Sequence, residues 1–566
     1  MKNSLSYSEI NSATMAKHTH FLISLLLIGF LSSCKQQPNP QDQRPNIILI
    51  MSDDMGYSDL GAFGGEIETP TLNRLAENGL RFTQFYNTAR CCPTRASLMT
   101  GLYPHQAGIG HMTNYPGIDP HIHDYGTAEY SGQLNNQCVT IAEVLKEAGY
   151  ATLMAGKWHL SFYDDQQWPL QRGFDQFYGI IPGACNFFQP TYPRGITEGN
   201  DTLSVLDQED FYTTDAFTDH AIQYVDQSIK SGKDSPFFLY LAYNAPHWPI
   251  QAPPEVVEKY KGKYDDGWAA LRNKRYQQMI DMGLIDKQWK MSPQDAIDWE
   301  SLDNAKQEEM SLRMAIYAAM VDRMDQNIGR LIHHLEALGK LDNTLILFLN
   351  DNGACAEGNM LGGGSAEQLE TKEGYFLTLG KAWANACNTP YREYKHWTHE
   401  GGIASPMIVH WPAGIQPESR GSFVRQYSFL PDVMATFLEV GNAHYPTTYR
   451  GNTIKPLVGK SMLRLIQGDL TSIHQEPIFW EHEGNGAVRL GPYKLVKKFK
   501  DENPSDWELY NIPQDRTELH NLMDIQSDKA NEMIAMYKEW ADKNHIMDWV
   551  KVKEIQKQIR LRNMEK

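Results

Sequence analysis

Five long apolar runs constrain this chain more than any other feature. Residues 46–52 (NIILIMS) are nearly continuous in hydrophobic side chains, and similar runs recur at 150–155, 236–243, 345–350 and 406–411. A strand with one wet face alternates apolar and polar residues. A continuous run has no face left for water and belongs in a sheet covered on both sides. Between the runs lie punctuated helical segments. Thr69-Pro70 opens one and Gly79 closes it, with Leu72, Leu75 and Ala76 on one face. Thr140 caps another, carrying Ile141, Val144, Leu145 and Ala148 before Gly149, and a third carries Ile316, Met320, Ile328, Leu331 and Leu335. Strands alternating with helices predict an α/β fold, a mixed, mostly parallel sheet between helices. Residues 255–310, charged and Trp-bearing, read as a helical insertion. From about 465 onward short antiparallel strands (486–490, 493–498) and a helix near 527–543 predict a smaller α+β subdomain over 465–566, with a peripheral or frayed helix at the end. The larger body is then 46–464.

The amino-terminal segment is of another kind. Lys17, His18 and His20 precede the apolar run 21–33 (FLISLLLIGFLSS), too short to span a bilayer comfortably but suited to the core of an export signal. Leu31-Ser32-Ser33-Cys34 resembles the bacterial lipobox, in which the Cys is lipidated and begins the mature chain. Residues 1–33 are therefore expected to be a lipoprotein signal peptide, with Met15 a candidate start. Residues 34–45 read as a tether, and the exported protein is expected at the periplasm or cell surface, anchored through Cys34. With 52 Lys plus Arg against 69 Asp plus Glu, the net charge of −17 argues against nucleic acid as a partner. The seven Cys show no CxxC or Cys/His zinc spacing.

Chemistry-bearing residues follow the runs. Asp53 and Asp54 come directly after the first, Asp351 and Asn352 directly after the fourth. An Asp-Asp pair can simply be a solvated turn. Two such pairs at matching strand ends instead suit a hard cation, Ca²⁺ or Mg²⁺, which relieves the repulsion of adjacent carboxylates. Lys157, His159 and His247 also follow apolar runs, and ligand sites of open α/β sheets lie beyond the carboxyl ends of the strands. In Cys91-Cys92-Pro93-Thr94-Arg95, Pro93 fits the first turn of a helix, so Cys91 lies near its positive end. A buried Cys pair capping a helix is the plainer alternative.

Cys91-x-Pro93-x-Arg95 followed by Leu98-Met99-Thr100-Gly101 resembles the formylglycine motif of the type I sulfatases, in the alkaline phosphatase superfamily. Gly156-Lys157-Trp158-His159-Leu160, Pro246-His247-Trp248-Pro249, the FLNDNG stretch at 348–353, the segment 394–402 around Lys395 and the WELYN stretch at 507–511 resemble further motifs of that family, in order, closest to its bacterial arylsulfatase branch. The resemblance implies that Cys91 is oxidised by a maturation enzyme to Cα-formylglycine, whose hydrate attacks sulfur. It implies a cation, Ca²⁺ rather than Mg²⁺, held by Asp53, Asp54, Asp351, Asn352 and the modified Cys91. Lys157, His247 and Lys395 would hold the sulfate, His247 or Lys395 would protonate the departing alcohol, His159 would act as base in expelling sulfate, and Arg95 would orient the nucleophile. The implied substrates are sulfated glycans or aryl sulfates. Thr94, Ser161 and Ala404 depart from the usual pattern. Two rivals stand beside this reading: a phosphodiester or phosphonate monoester hydrolase on the same fold, and a non-catalytic glycan-binding lipoprotein.

Overall fold

A computed structural model describes residues 44–114, 122–230, 235–502 and 506–564. The expected leader, the tether up to residue 43 and Cys34 lie outside the described residues. The main strands are β1 (Asn46–Ser52), β2 (Leu80–Tyr86), β3 (Ala151–Lys157), β4 (Gln176–Ile180), β5 (Ile196–Glu198), β6 (Asp201–Leu203), β7 (Phe237–Ala242), β8 (Thr344–Asn350), β9 (Ala404–His410), β10 (Ser422–Val424) and β11 (Ser428–Phe429). They form one sheet in the order β10-β2-β9-β8-β1-β7-β3-β4-β5-β6, with β11 also on β2. The central β8-β1-β7-β3-β4 stretch is parallel throughout.

The five apolar runs are strands of this sheet. The last of them, β9, runs antiparallel to both β2 and β8. An apolar run reports burial on two faces and carries no direction, so its orientation was not readable. Layers of helix close both faces. The helix Pro70–Glu77 starts at the Pro after Thr69, and Ile141–Glu147 carries a complete capping box between Thr140 and Glu143. The 34-residue helix Asn304–Ala337 begins where Asp303 caps it and buries Met314, Ile316, Met320, Ile328 and Leu331. Ahead of it, the described residues of 255–310 hold the helix Gly267–Asp281 and short helical turns, with no strand.

After a small hairpin of β12 (Thr448–Tyr449) and β13 (Asn452–Thr453) comes a four-stranded antiparallel sheet of β14 (Ile478–His482), β15 (Asn485–Leu490), β16 (Tyr493–Lys497) and β17 (Trp507–Asn511). The helix Ser527–Lys543 packs on it, stacking Trp540 on Phe479. The terminal helix Trp549–Met564 is peripheral as expected, and it is docked rather than frayed: Val552 and Ile559 are buried with Tyr125 and Tyr130. Among the described residues no helix is long and apolar enough to cross a membrane.

Candidate active site

The parallel register sets the site. Ser52 of β1 pairs with Asn350 of β8, so Asp53-Asp54 and Asp351-Asn352 leave the sheet side by side. Asp351 Oδ1 accepts the Asp54 N–H at 3.1 Å, and Asp54 Oδ1 accepts from Asn352 Nδ2 at 2.7 Å. Lys157 is the last residue of β3, two strands away across β7. Gly156 lets β3 make that approach, since a Cβ there would lie 1.9 Å from the Ala242 carbonyl oxygen. Its ammonium donates to Asp53 Oδ2 at 2.6 Å.

Cys91 is the first residue of the helix Cys91–Thr100, all of it buried. One turn on, Arg95 donates to Asp351 Oδ2 (3.0 Å) and to the Lys157 carbonyl (2.9 Å). The Cys91 and Cys92 thiols and one His159 ring nitrogen lie within 4.8 Å of one another. His247, beyond β7, has its Nε2 3.4 Å from Asp54 Oδ2, and its Nδ1 hydrogen-bonds the Trp248 carbonyl at 2.7 Å. Lys395 precedes a strand instead of following one, yet its loop returns the ammonium to Asp54 Oδ1 at 2.8 Å. All ten residues singled out in the sequence are therefore buried in one pocket at the carboxyl ends of β1, β3, β7 and β8.

Crowded charge fixes the electrostatics. Burial and then the neighbouring Asp351 carboxylate push Asp53 well above the ordinary carboxylate range. Burial acts the same way on Asp54, but Lys395 and His247 outweigh it and lower its pKa. The adjacent Cys92 thiol, followed by the charges of Lys157, His159 and Lys395, holds the Cys91 thiol well below its usual value against burial. Burial lowers His159 to about 4 and His247 to about 3, so both rings are neutral near pH 7.

Two oxygens decide whether a cation fits. Asp53 Oδ1 and Asn352 Oδ1 are buried without a hydrogen-bond partner among the described residues. Buried oxygens of this kind are costly unless something else satisfies them. A donor set of carboxylate and amide oxygens suits a hard divalent ion. The residues fit.

Two neighbours that no sequence pattern marks, Glu357 and Arg90, join Trp248 of the His247 segment at the rim. Glu357 Oε1 pairs with Arg90 at 3.0 Å, and its Oε2 accepts from Trp248 Nε1 at 2.8 Å. Lys395 lies 3.9 Å from Glu357, whose carboxyl Lys395 and Arg90 lower strongly despite burial. Glu357 sits in an irregular, glycine-bearing loop with no period to mark it. Of the departures from the family pattern, Thr94 turns its hydroxyl to Thr88 (3.0 Å), Ser161 donates to the Asp164 carbonyl (3.0 Å), and Ala404 is buried in β9.

Three cationic side chains (Arg95, Lys157 and Lys395), four strand-end oxygen donors and a cysteine at a helix start, on a doubly covered mixed sheet of alkaline phosphatase-like fold, suit a hydrolase of anionic esters. The sulfatase family model matches residues 45–442, and a model of the N-sulphoglucosamine sulphohydrolase C-terminal region matches 392–547. An uncharacterized sulfatase of Schizosaccharomyces pombe is 34% identical over 525 residues, 87% of this chain and 93% of the relative. An arylsulfatase of Klebsiella aerogenes is 33% identical over 458 residues, 78% and 94% of the two chains. The crystal structure of Ps i-CgsB in complex with k-i-k-neocarrahexaose superposes with a TM-score of 0.64 at 27% identity, covering 88% of this chain and 93% of that one. The chain belongs to the sulfatase family and is a sulfuric ester hydrolase.

Proposed function

We propose that the protein is an exported, lipid-anchored sulfatase that removes sulfate from glycans, with Cys91 as its nucleophile after oxidation to Cα-formylglycine. The observation that carries the residue roles is the pair of unpartnered buried oxygens, Asp53 Oδ1 and Asn352 Oδ1, beside a cysteine at a helix N-terminus. Asp53, Asp54, Asp351 and Asn352 would hold a divalent cation, Ca²⁺ in preference to Mg²⁺. Such an ion supplies Lewis-acid polarisation of a sulfate oxygen and lowers the pKa of a hydroxyl beside it. The hydrated aldehyde supplies a hydroxyl nucleophile that a thiol lacks.

The chain's own side chains do the rest. Arg95, fixed by Asp351 and the Lys157 carbonyl, orients the residue 91 side chain one turn before it. The free amides at the helix start favour negative charge at residue 91. Lys157, Lys395 and His247 converge from three elements, and the two ammonium groups bind the sulfate oxygens. Lys395 donates the proton that the departing alcohol needs. His159, neutral and in contact with Cys91, is the base that accepts a proton from the residue 91 side chain.

The glycan reading rests on relatives. The neighbouring crystal structure holds a neocarrahexaose, and a 24% identical Bacteroides thetaiotaomicron relative is an N-acetylglucosamine-6-O-sulfatase. The anchor rests on the sequence up to Cys34, and we take 464/465 as the boundary between the catalytic domain and the C-terminal subdomain.

The test is product release from a panel of aryl sulfate, phosphomonoester and phosphodiester, by protein co-produced with a formylglycine-generating enzyme, with Cys91→Ala as blank. Sulfate release that vanishes in the blank is the expected result, together with the mass change of thiol-to-aldehyde conversion in the Cys91 peptide. Cleavage of the phosphodiester with sulfate esters left intact overturns the reading.

A further inference from the structure

Next to Lys395 in the chain begins a second cluster of ligand-type side chains that the reaction does not use. His482 ends β14 and Glu483 begins the turn to β15, and both meet His396, the residue after Lys395. His396 Nδ1 is 3.1 Å from Glu483 Oε2, and His482 Nε2 is 3.6 Å from Glu483 Oε1. One donor atom from each of the three residues lies within 4.8 Å of the other two. His111 bonds the same carboxylate from outside, Nε2 to Glu483 Oε1 at 2.7 Å, and its Nδ1 is tied to the Tyr125 hydroxyl at 2.8 Å.

His482 is the observation that asks for a ligand. It is 0% exposed, yet neither ring nitrogen has a hydrogen-bond partner among the described residues. A sealed imidazole with both nitrogens unpaired is expensive for a fold to keep unless something binds it. A sugar hydroxyl cannot reach a side chain with no exposure, whereas a single ion can.

We propose that His396, His482 and Glu483 form a second cation site, for a borderline divalent ion of the zinc type. Two imidazoles and one carboxylate are a donor set that zinc favours, with a fourth position left for water. Tetrahedral ligands at zinc bond lengths stand about 3.4 Å apart; His396 Nδ1 is 3.1 Å from Glu483 Oε2, His482 Nε2 is 3.6 Å from the other carboxylate oxygen, and one donor atom of each residue lies within 4.8 Å of the other two. The pocket of Asp53, Asp54, Asp351 and Asn352, built of oxygens, selects a hard cation, so the two sites differ in the metal they take. His111 acts as the outer partner that orients Glu483. The site joins the C-terminal hairpin to the loop of Lys395, so its ion fixes the position of a sulfate-binding residue.

The experiment uses the full-length protein, stripped with chelator, refilled with excess Ca²⁺ and then titrated with Zn²⁺ or Co²⁺ alone. The expected result is one tightly held equivalent that excess Ca²⁺ does not displace, with the visible ligand-field absorption of four-coordinate Co²⁺. Asp351→Asn keeps this equivalent, while Glu483→Gln and His482→Ala lose it. His111→Phe weakens it by roughly tenfold. If buried His482→Ala fails to fold, His396→Ala serves instead, at a side chain only 26% exposed but on the rim. Absence of a stoichiometric equivalent overturns the proposal, as does binding that survives His396→Ala and Glu483→Gln or disappears in Asp351→Asn. These readouts do not depend on turnover, so they stand or fall apart from the sulfatase chemistry.

Discussion

Two regions bury several charges each, and they are built to different ends. Where the C-terminal sheet meets the main body, Glu400 pairs with Lys494 at 2.9 Å and Arg516 at 2.7 Å, and Lys494 also pairs with Glu518 at 2.9 Å. Lys494 and Arg516 outweigh burial and bring the Glu400 pKa down to about 2. In the sulfate pocket, Asp53 pairs with Lys157 and shares Arg95 with Asp351, retains one oxygen without a partner, and is pushed well above the normal carboxylate range. The first cluster leaves neither oxygen of its central Glu400 unpaired. The second is held together by the fold but left unfinished, as a site that must accept ligands requires. Stability and activity should therefore separate along this line.

The sharpest break is expected at Cys91. Cys91→Ala should cut sulfate ester turnover by about 10⁴-fold or more, with a melting curve like that of the parent measured alongside. A pocket variant that loses both together would erase the distinction. Next is the paired comparison of buried carboxylates. Glu400→Gln leaves Lys494 and Arg516 facing a neutral partner and should cost about 3–5 kcal/mol in denaturant unfolding, with kcat retained in the folded fraction. Asp53→Asn in chelated protein should cost far less, because the folded site already disfavours that carboxylate; activity should be lost. Equal destabilisation by the two would show that both clusters are structural.

Cation removal comes third. Chelation should abolish turnover and lower the Tm, and Ca²⁺ at a hundredfold excess over its Kd should restore about 2.7 kcal/mol, read by calorimetry with and without the ion. Asp351→Asn should remove that gain. The smallest effects lie in the pH dependence of stability. A lowered carboxylate pKa contributes stability that is full above the unfolded value of 4.5 and is lost as pH falls through about 2. Glu400→Gln should flatten that acid limb. Asp53 has the opposite sign in the cation-free protein: its raised pKa makes its contribution fall as pH rises above the unfolded value of 3.8. Ca²⁺ should abolish that slope, visible as a change in proton uptake on unfolding.

Much of the site was legible because local patterns mark it. Asp53-Asp54, Lys157, His247 and Asp351-Asn352 each follow an apolar run, and Pro93 places Cys91 at a helix start. Lys395 carried no such mark and was reached only through family resemblance; its loop returns to Asp54 from the far side. Glu357, Arg90 and Trp248 formed no readable unit, since their contacts span up to 267 residues of chain and follow no period. The antiparallel course of β9 and the existence of β2, whose LRFTQFY mixes apolar and polar residues, were hidden for a related reason. Composition reports how wet a strand is, not which neighbour it takes.

Local patterns mark which side chains stand at strand ends and at a helix N-terminus, because period, capping and proline act within a few residues. Long-range packing makes β8, β1, β7 and β3 successive neighbours, so that those ends converge, and the β14–β15 hairpin brings His482 and Glu483 to His396. Strand order and domain docking are set by burying faces that lie far apart in the chain, and no local pattern carries that information.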